Sequence, residues 1–165
     1  MNIKRIAKHL MVTHWQVNRA FPRQTLIAIE QAIKASETAH VGEIRFAVEG
    51  ALDVAPLFKG QSARERAIDL FSQLRVWDTE HNNGVLIYLL LADRDVEIVA
   101  DRGIHAKVGA QGWEKTCRKM ETAFKQGSYE GGVVSGIQAV TRHLAEHFPA
   151  VGATRNELPD KPVVL

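Results

Sequence analysis

The sequence of 165 residues contains one cysteine, no long hydrophobic run and almost no net charge. Cys117 alone can form no internal disulfide and cannot supply the several thiolates of a structural zinc site. The longest apolar run, residues 85–92, is far shorter than the roughly 20 residues that cross a bilayer as a helix. A net charge of +2, with no dense stripe of lysine and arginine, argues against nucleic acid as a partner.

The amino terminus lacks the continuous apolar segment of a secretory signal peptide. Residues 1–20 instead have apolar side chains at helical spacing with lysine and arginine between them, which predicts a basic amphipathic helix. Such a helix can pack on its own domain or on a partner, or it can lie on an anionic membrane surface. We therefore expect a cytoplasmic protein, with attachment to the periphery of the inner membrane as the alternative.

Sequence motifs of common phosphate-binding loops and catalytic nucleophiles are also missing. The chain contains no P-loop and no Gly-x-Ser-x-Gly elbow. Cys117 shares a helical stripe with Trp113, Met120 and Phe124, so we expect it to be a small buried hydrophobic residue.

The first half of the chain shows helical and strand patterns in alternation. A second helix is predicted from residue 23 to about residue 37. Residues 43–49 alternate between polar and apolar side chains, as a strand with one face on the core does. Residues 62–65, Ser-Ala-Arg-Glu, form a capping box that begins a third helix.

The second half of the chain completes a mixed sheet. Residues 85–91 have no polar alternation and predict a central strand that is covered on both faces. Residues 96–100 follow after a short turn and predict its antiparallel neighbour. Two long helices then end at Pro149. The order α-α-β-α-β-β-α-α predicts one α/β domain over residues 23–149, with helices on both faces of the sheet and a flexible tail over residues 150–165.

One polar cluster leads into the first strand. Glu37, His40 and Glu43 are followed by Arg45 and Glu49 on one side of that strand. Imidazole and carboxylate groups at this spacing can share a metal ion if the segment stays helical. The alternative is a solvated helix end, with Arg45 and Glu49 as neighbours on the polar face of a half-buried strand.

A second polar cluster flanks the predicted hairpin. Asp93, Arg94 and Asp95 lie at its turn, and Asp101 and Arg102 follow its second strand. Carboxylates in a turn can bind calcium or magnesium, although an ordinary hairpin turn has the same composition. Because a strand rises roughly 3.4 Å per residue, Asp93 and Asp101 lie too far apart to bind one ion together.

The hairpin and the last two helices resemble the TPM-domain family. The resemblance lies in "NNGVLIYLLLADRDVEIVADRGIHAKVG" and "FKQGSYEGGVVSGIQAV", and it covers about residues 30–148. It implies a three-layer α/β/α sandwich. The family includes proteins of photosystem II repair and many bacterial proteins. The resemblance therefore also implies acid phosphatase activity and a bound divalent cation, which would be calcium or magnesium rather than zinc.

Two functions follow from this resemblance. The first is a metal-dependent, phosphatase-like hydrolase, a phosphomonoesterase whose cation polarises the phosphoryl group and whose arginines neutralise it. The alternative is a non-catalytic module that binds a membrane protein or the membrane surface and assists membrane-protein assembly or repair. For the hydrolase, the predicted metal ligands are Asp93 or Asp101 together with His40 or Glu43. The predicted catalytic residues are Glu43, Arg45, Arg94 and Arg102.

Overall fold

The computed structural model describes residues 2–153 and 155–165. Met1 and Thr154 fall in the predicted N-terminal helix region and in the predicted tail, and they lie outside the described residues. The elements are α1 (Ile3–Met11), α2 (His14–Ala20), α3 (Arg23–Ser36), β1 (Glu43–Glu49), α4 (Val54–Phe58), α5 (Ala63–Gln73), β2 (Gly84–Leu90), β3 (Asp95–Ala100), α6 (Arg102–Lys125), α7 (Tyr129–His147) and β4 (Val163–Val164).

The four strands form one mixed sheet in the order β3-β2-β1-β4. Strand β1 runs parallel to β2 and β4, whereas β2 and β3 form the predicted antiparallel hairpin. All seven residues of β2 are buried, which confirms a central strand covered on both faces.

Helices cover both faces of this sheet, so the predicted α/β/α sandwich is confirmed. Alternate residues of β1, β2 and β3 pack against α3, α6 and α7 on one face. The other face of the sheet packs against α5 and the segments around it. Cys117 belongs to the first core and is 8% exposed, as its place on an apolar stripe predicts.

The polar side of β1 differs from the expectation of a half-buried strand. Glu43, Arg45 and Glu49 are only 4–6% exposed, because α5 and the C-terminal residues cover that side of the strand. Each of these charged groups therefore has protein partners, as a buried charge requires.

The C-terminal residues also differ from the predicted flexible tail. The tail was expected over residues 150–165, yet Val163 and Val164 pair with β1 as strand β4. Leu158 packs in the second core and is 8% exposed. A two-residue strand is too short to be recognised from an alternating sequence pattern. It forms because its backbone pairs with β1.

Two predicted helices have different bounds in the structure: the helix predicted over residues 1–20 is divided into α1 and α2, and the first of the two long C-terminal helices begins earlier than predicted. Helix α2 buries only Val17, so it has no apolar stripe to recognise. Helix α6 begins at Arg102, well before the predicted stripe, and is kinked at Gly109, whose φ of 76° favours glycine. The first turn of α6 lies next to the turn that precedes β2, since the Ile104 amide donates to the Asn82 carbonyl at 3.2 Å.

Candidate functional site

The polar residues predicted from the sequence divide between two edges of the sheet. The carboxyl ends of β1, β2 and β4 share one edge, called the carboxyl edge, and the opposite edge is the amino edge. Glu43 and Asp101 lie at the amino edge: Glu43 pairs with Gly84, and the Asp101 amide donates to the Gly84 carbonyl. Asp93 and Arg94 lie at the carboxyl edge, in the turn between β2 and β3.

Glu43 holds the C-terminal segment at the amino edge. Its Oε1 accepts a hydrogen bond of 2.8 Å from the Glu157 amide. Burial raises the pKa of Glu43 to about 7, the nearby charges of Glu157 and Asp160 add to this rise, and the backbone donors oppose it. Glu43 can therefore exchange a proton near neutral pH.

Arg45 is also engaged by the C-terminal segment. Its Nη1 donates to the Pro159 carbonyl at 2.8 Å, while its Nε is buried without a hydrogen-bond partner among the described residues. Burial lowers the pKa of Arg45, and the charge of Asp160 opposes that shift. These contacts place Arg45 beneath the C-terminal segment, where it stabilises that segment.

Glu37 joins the same acidic cluster. Burial raises its pKa to about 7, and the nearby carboxyl group of Asp160 contributes next to that rise. The charge of Glu43 adds to it, and Lys34 opposes it. The amino edge thus brings together carboxyl groups that lie more than 100 positions apart in the sequence.

The remaining predicted residues of the amino edge have different surroundings. His40 is 1% exposed, its pKa is lowered by burial, and neither ring nitrogen has a hydrogen-bond partner in the described part of the chain. Asp101 precedes α6, and its Oδ1 accepts from the Arg102 amide at 2.8 Å. The Arg102 side chain is exposed and lies far from the Arg94 turn.

The predicted metal ligands do not surround one point. His40, Glu43 and Asp101 lie towards the amino edge, whereas Asp93 lies at the carboxyl edge. In residues 2–153 and 155–165, no three His, Cys, Asp or Glu side chains are grouped so that they could hold an ion. Asp93 therefore cannot share a cation with His40 or Glu43, whereas Asp101 lies at the same edge as both, and the divalent metal stays a prediction from the family resemblance.

Glu49 is fixed on the same side of β1. Its two carboxylate oxygens accept hydrogen bonds of 2.8 and 3.0 Å from Arg66, and the Tyr88 hydroxyl donates to Oε2 at 2.7 Å. Burial, with these contacts to Glu49, raises the pKa of Tyr88. Alternation along β1 predicts Arg45 as the neighbour of Glu49, but Glu49 pairs with Arg66 from α5.

At the carboxyl edge, Asp93 binds the N-terminal helix. Its Oδ2 lies 2.9 Å from Arg5 Nε, and its Oδ1 lies 3.0 Å from His9 Nε2. The other ring nitrogen of His9 accepts a hydrogen bond of 3.0 Å from the Leu52 amide. These contacts attach α1 to the carboxyl edge and occupy both oxygens of Asp93.

A groove of about 820 Å³ opens beside Asp93, between α1, α2, the turn after β2 and the connection from α6 to α7. Three cationic side chains line it: Lys8, Arg19 and Arg94. Arg19 lies over the ring of Trp15, with 5.3 Å from Cζ to the ring centroid. Arg94 has a φ of 53° in a tight turn. The groove lining includes no carboxylate, so it favours an anion. Its lining residues are Lys8, Met11, Val12, Trp15, Gln16, Arg19, Ala20, Leu91, Ala92, Arg94, Gly127 and Tyr129.

A third polar region lies along the outer side of β3, which is one of the two outermost strands of the sheet. The Glu121 carboxylate accepts from the Val96 amide at 3.2 Å, and Arg64 Nη1 donates to the Ile98 carbonyl at 2.6 Å. Burial raises the pKa of Asp95 to about 6, with Glu97 and Glu121 adding to the shift. Side chains of α5 and α6 thus satisfy outward backbone groups of β3, which protects an edge strand from pairing with another chain.

Arg94 was predicted as a site residue from the sequence, whereas its neighbours in space, Lys8 and Arg19, were not. The basic character of the N-terminal residues was visible, yet no spacing in the sequence shows that they fold over the turn after β2. The acidic cluster was missed for the same reason, since Glu157 and Asp160 lie in the predicted flexible tail.

Comparisons with known proteins agree with this fold. The TPM domain family model matches residues 18–143. The NMR structure of the BA42 protein from the psychrophilic bacterium Bizionia argentinensis is similar to this chain with a TM-score of 0.75 and 32% sequence identity, covering 86% of this chain and 92% of BA42. A comparison with curated proteins found no match.

A second solved structure resembles the fold alone. It is the solution NMR structure of the N-terminal domain of a protein from P. gingivalis, with a TM-score of 0.56, 20% identity, and coverage of 73% of this chain and 76% of that domain. The family match extends over most of the sequence and includes β1, β2, β3, α6 and α7 up to residue 143. The chain belongs to the TPM domain family.

Proposed function

We propose that this protein binds a small phosphate-bearing anion in the groove at the carboxyl edge. The observation that carries the proposal is the groove lining, which has Lys8, Arg19 and Arg94 and no carboxylate. Arginine side chains bind phosphate oxygens through charge-assisted hydrogen bonds, and lysine adds a point charge.

The position of the groove supports the same function. In open α/β sheets, ligands bind outside the carboxyl ends of the parallel strands, and this groove lies at that edge beside the turn after β2. Its volume of about 820 Å³ is in the range of small-molecule sites, which is roughly 300–1,000 Å³.

Two arginines of the groove are held in place by local contacts, Arg94 through its backbone and Arg19 through its side chain. Arg94 adopts a left-handed backbone conformation, and its amide donates to the Leu91 carbonyl at 3.1 Å. Arg19 is oriented by its contact with Trp15. The orientation of the Arg19 guanidinium before the ligand arrives lowers the entropy lost on binding.

The binding test is a titration with inorganic phosphate and with phenyl phosphate. We expect Lys8→Gln, Arg19→Gln and Arg94→Asn each to weaken binding roughly tenfold, the loss of about one charge-assisted hydrogen bond. Asparagine is used at position 94 because it tolerates the left-handed conformation. Arg102→Gln at the amino edge is the control and should bind as the wild type does. If the three groove variants bound phosphate and phenyl phosphate with the affinity of the wild type, the proposal would be contradicted.

Phosphomonoester hydrolysis is the second candidate function. It is supported by the family membership and by Glu43, whose pKa of about 7 suits proton transfer near neutral pH. Purified protein should be assayed with calcium, magnesium, manganese and zinc, alongside Glu43→Gln and Asp101→Asn. Activity that falls in these variants would support a reaction at the amino edge, whereas unchanged activity in both would remove these residues from any catalytic role.

A further inference from the structure

Helix α1 attaches to the domain through its polar side. Arg5 and His9 contact Asp93, and the Leu52 amide donates to His9, which is 3% exposed. A surface helix normally turns its apolar side to the core and its charged side to water. Here Arg5 and His9 are docked together with Ile6, which packs against the second core, and the other large apolar residues of α1 face outward.

The outward side of α1 exposes three large apolar side chains, at both ends of the helix. Ile3 is 72% exposed, Leu10 62% and Met11 73%, and positions 3, 10 and 11 lie on one side of a helix with 3.6 residues per turn. Trp15 at the start of α2 continues this surface and is 64% exposed. These are the four most exposed large apolar side chains of the described part of the chain apart from Val151.

The same segment carries charge of one sign. Residues 1–29 contain five lysine and arginine residues and no aspartate or glutamate, and the first carboxylate is Glu30. Lys4 and Lys8 are exposed beside the apolar side of α1. The cations are Lys4, Arg5, Lys8, Arg19 and Arg23.

We propose that α1 and the start of α2 dock on the surface of an anionic lipid bilayer, with α1 lying in the plane of the interface. A bilayer complements both features of this surface together. Its acyl–headgroup boundary receives apolar side chains, and its anionic headgroups attract lysine. Tryptophan is also favoured at that depth, where Trp15 would lie.

The contact is weak and reversible. Helix α1 has nine residues and inserts only three large apolar side chains, so binding depends on the lysines and weakens with added salt. In residues 2–153 and 155–165, no helix has the length and apolar composition for crossing a membrane, and interfacial docking requires neither.

The test is flotation of the purified full chain with vesicles of phosphatidylcholine alone and with vesicles that also contain phosphatidylglycerol. We expect binding to the anionic vesicles only, with loss at high salt. The double variant Ile3→Gln, Leu10→Gln should reduce the bound fraction at least about tenfold, and Lys4→Gln about fivefold. None of these residues lines the phosphate-binding groove, so failure here leaves the groove proposal standing.

Ile68→Gln is the matched control, because Ile68 is 48% exposed on α5 and lies next to Asp69. It should bind the anionic vesicles as the wild type does. Equal flotation with both vesicle types, or no flotation with either, would overturn the proposal. A concentration-dependent dimer that the Ile3→Gln, Leu10→Gln variant abolishes, without vesicle binding, would instead show that a second copy covers this surface.

Discussion

Two glutamates of one strand show how partners decide the behaviour of a buried carboxylate. Glu49 is neutralised by two hydrogen bonds from Arg66 and one from the Tyr88 hydroxyl. Glu43 accepts a hydrogen bond from the Glu157 backbone amide, and its charged neighbours are carboxylates. Burial raises its pKa to about 7, and the charges of these carboxylates add to the rise. The same residue type in the same strand is therefore paired with an arginine at one end, whereas at the other end it has a raised pKa among carboxylates.

We expect the stability of the protein to fall as pH rises from about 4.5 to about 7, because of Glu43. Glutamate in the unfolded chain loses its proton near 4.5, while the folded chain keeps the proton until the pH reaches about 7. The unfolded state therefore binds fewer protons in this window, and the free energy of unfolding decreases by about 1–2 kcal/mol after allowance for solvent screening.

The substitution Glu43→Gln tests this directly by urea unfolding between pH 4 and pH 8. Glutamine keeps an oxygen for the Glu157 amide and does not ionise, so the variant should have a shallower slope, with the shares of Glu37 and Asp95 remaining, and be the more stable protein at pH 8. Glu49→Gln is the control and should be destabilised at every pH, since it breaks the pair with Arg66. A slope that is identical in the wild type and in Glu43→Gln would contradict the assignment.

At the scale of elements, α1 shows that periodicity predicts a helix but not its docked side. The spacing of Ile3, Ile6 and Leu10 predicted the helix, which is present as Ile3–Met11. The side that docks is set by Asp93, 84 positions after His9 and far beyond any local pattern. The hairpin of β2 and β3 was fully predictable by contrast, because its strands and turn are contiguous in sequence.

We expect Asp93→Asn to loosen α1 without unfolding the domain. The substitution removes the charge that pairs with Arg5 and faces His9. Hydrogen exchange should speed up about five- to tenfold in α1, equivalent to roughly 1 kcal/mol, with little change in the core strands. Asp53→Asn, at an exposed aspartate before α4, is the control. Exchange in α1 that stays at the wild-type rate would show that Asp93 does not hold this helix.

At the scale of the whole molecule, the C-terminal segment closes one face of the sheet. It pairs with β1 through β4, buries Leu158, and bonds to Glu43 and Arg45. Two prolines near its end suggested a mobile tail in the sequence. The order of this segment depends on partners in β1, more than 100 positions earlier, so no local pattern could have shown it.

We expect Leu158→Ala to reduce the free energy of unfolding by about 2–4 kcal/mol, because it leaves a cavity in the second core. Val151→Ala, at a side chain that is 82% exposed, should change it by less than about 0.5 kcal/mol. Urea unfolding measures both. Two variants of equal stability would mean that residues 155–165 contribute no packing to the domain.

The central claim is that the carboxyl-edge groove binds a phosphate-bearing anion. The most direct measurement is a ¹H–¹⁵N correlation titration of the full chain with phenyl phosphate, and with inorganic phosphate in parallel. We expect saturable shifts in the amides of Lys8, Arg19, Arg94 and Gly127, which line the groove, and none around Glu43. Shifts confined to the amino edge around Glu43 and Asp101, or no saturable shifts at all, would contradict the claim.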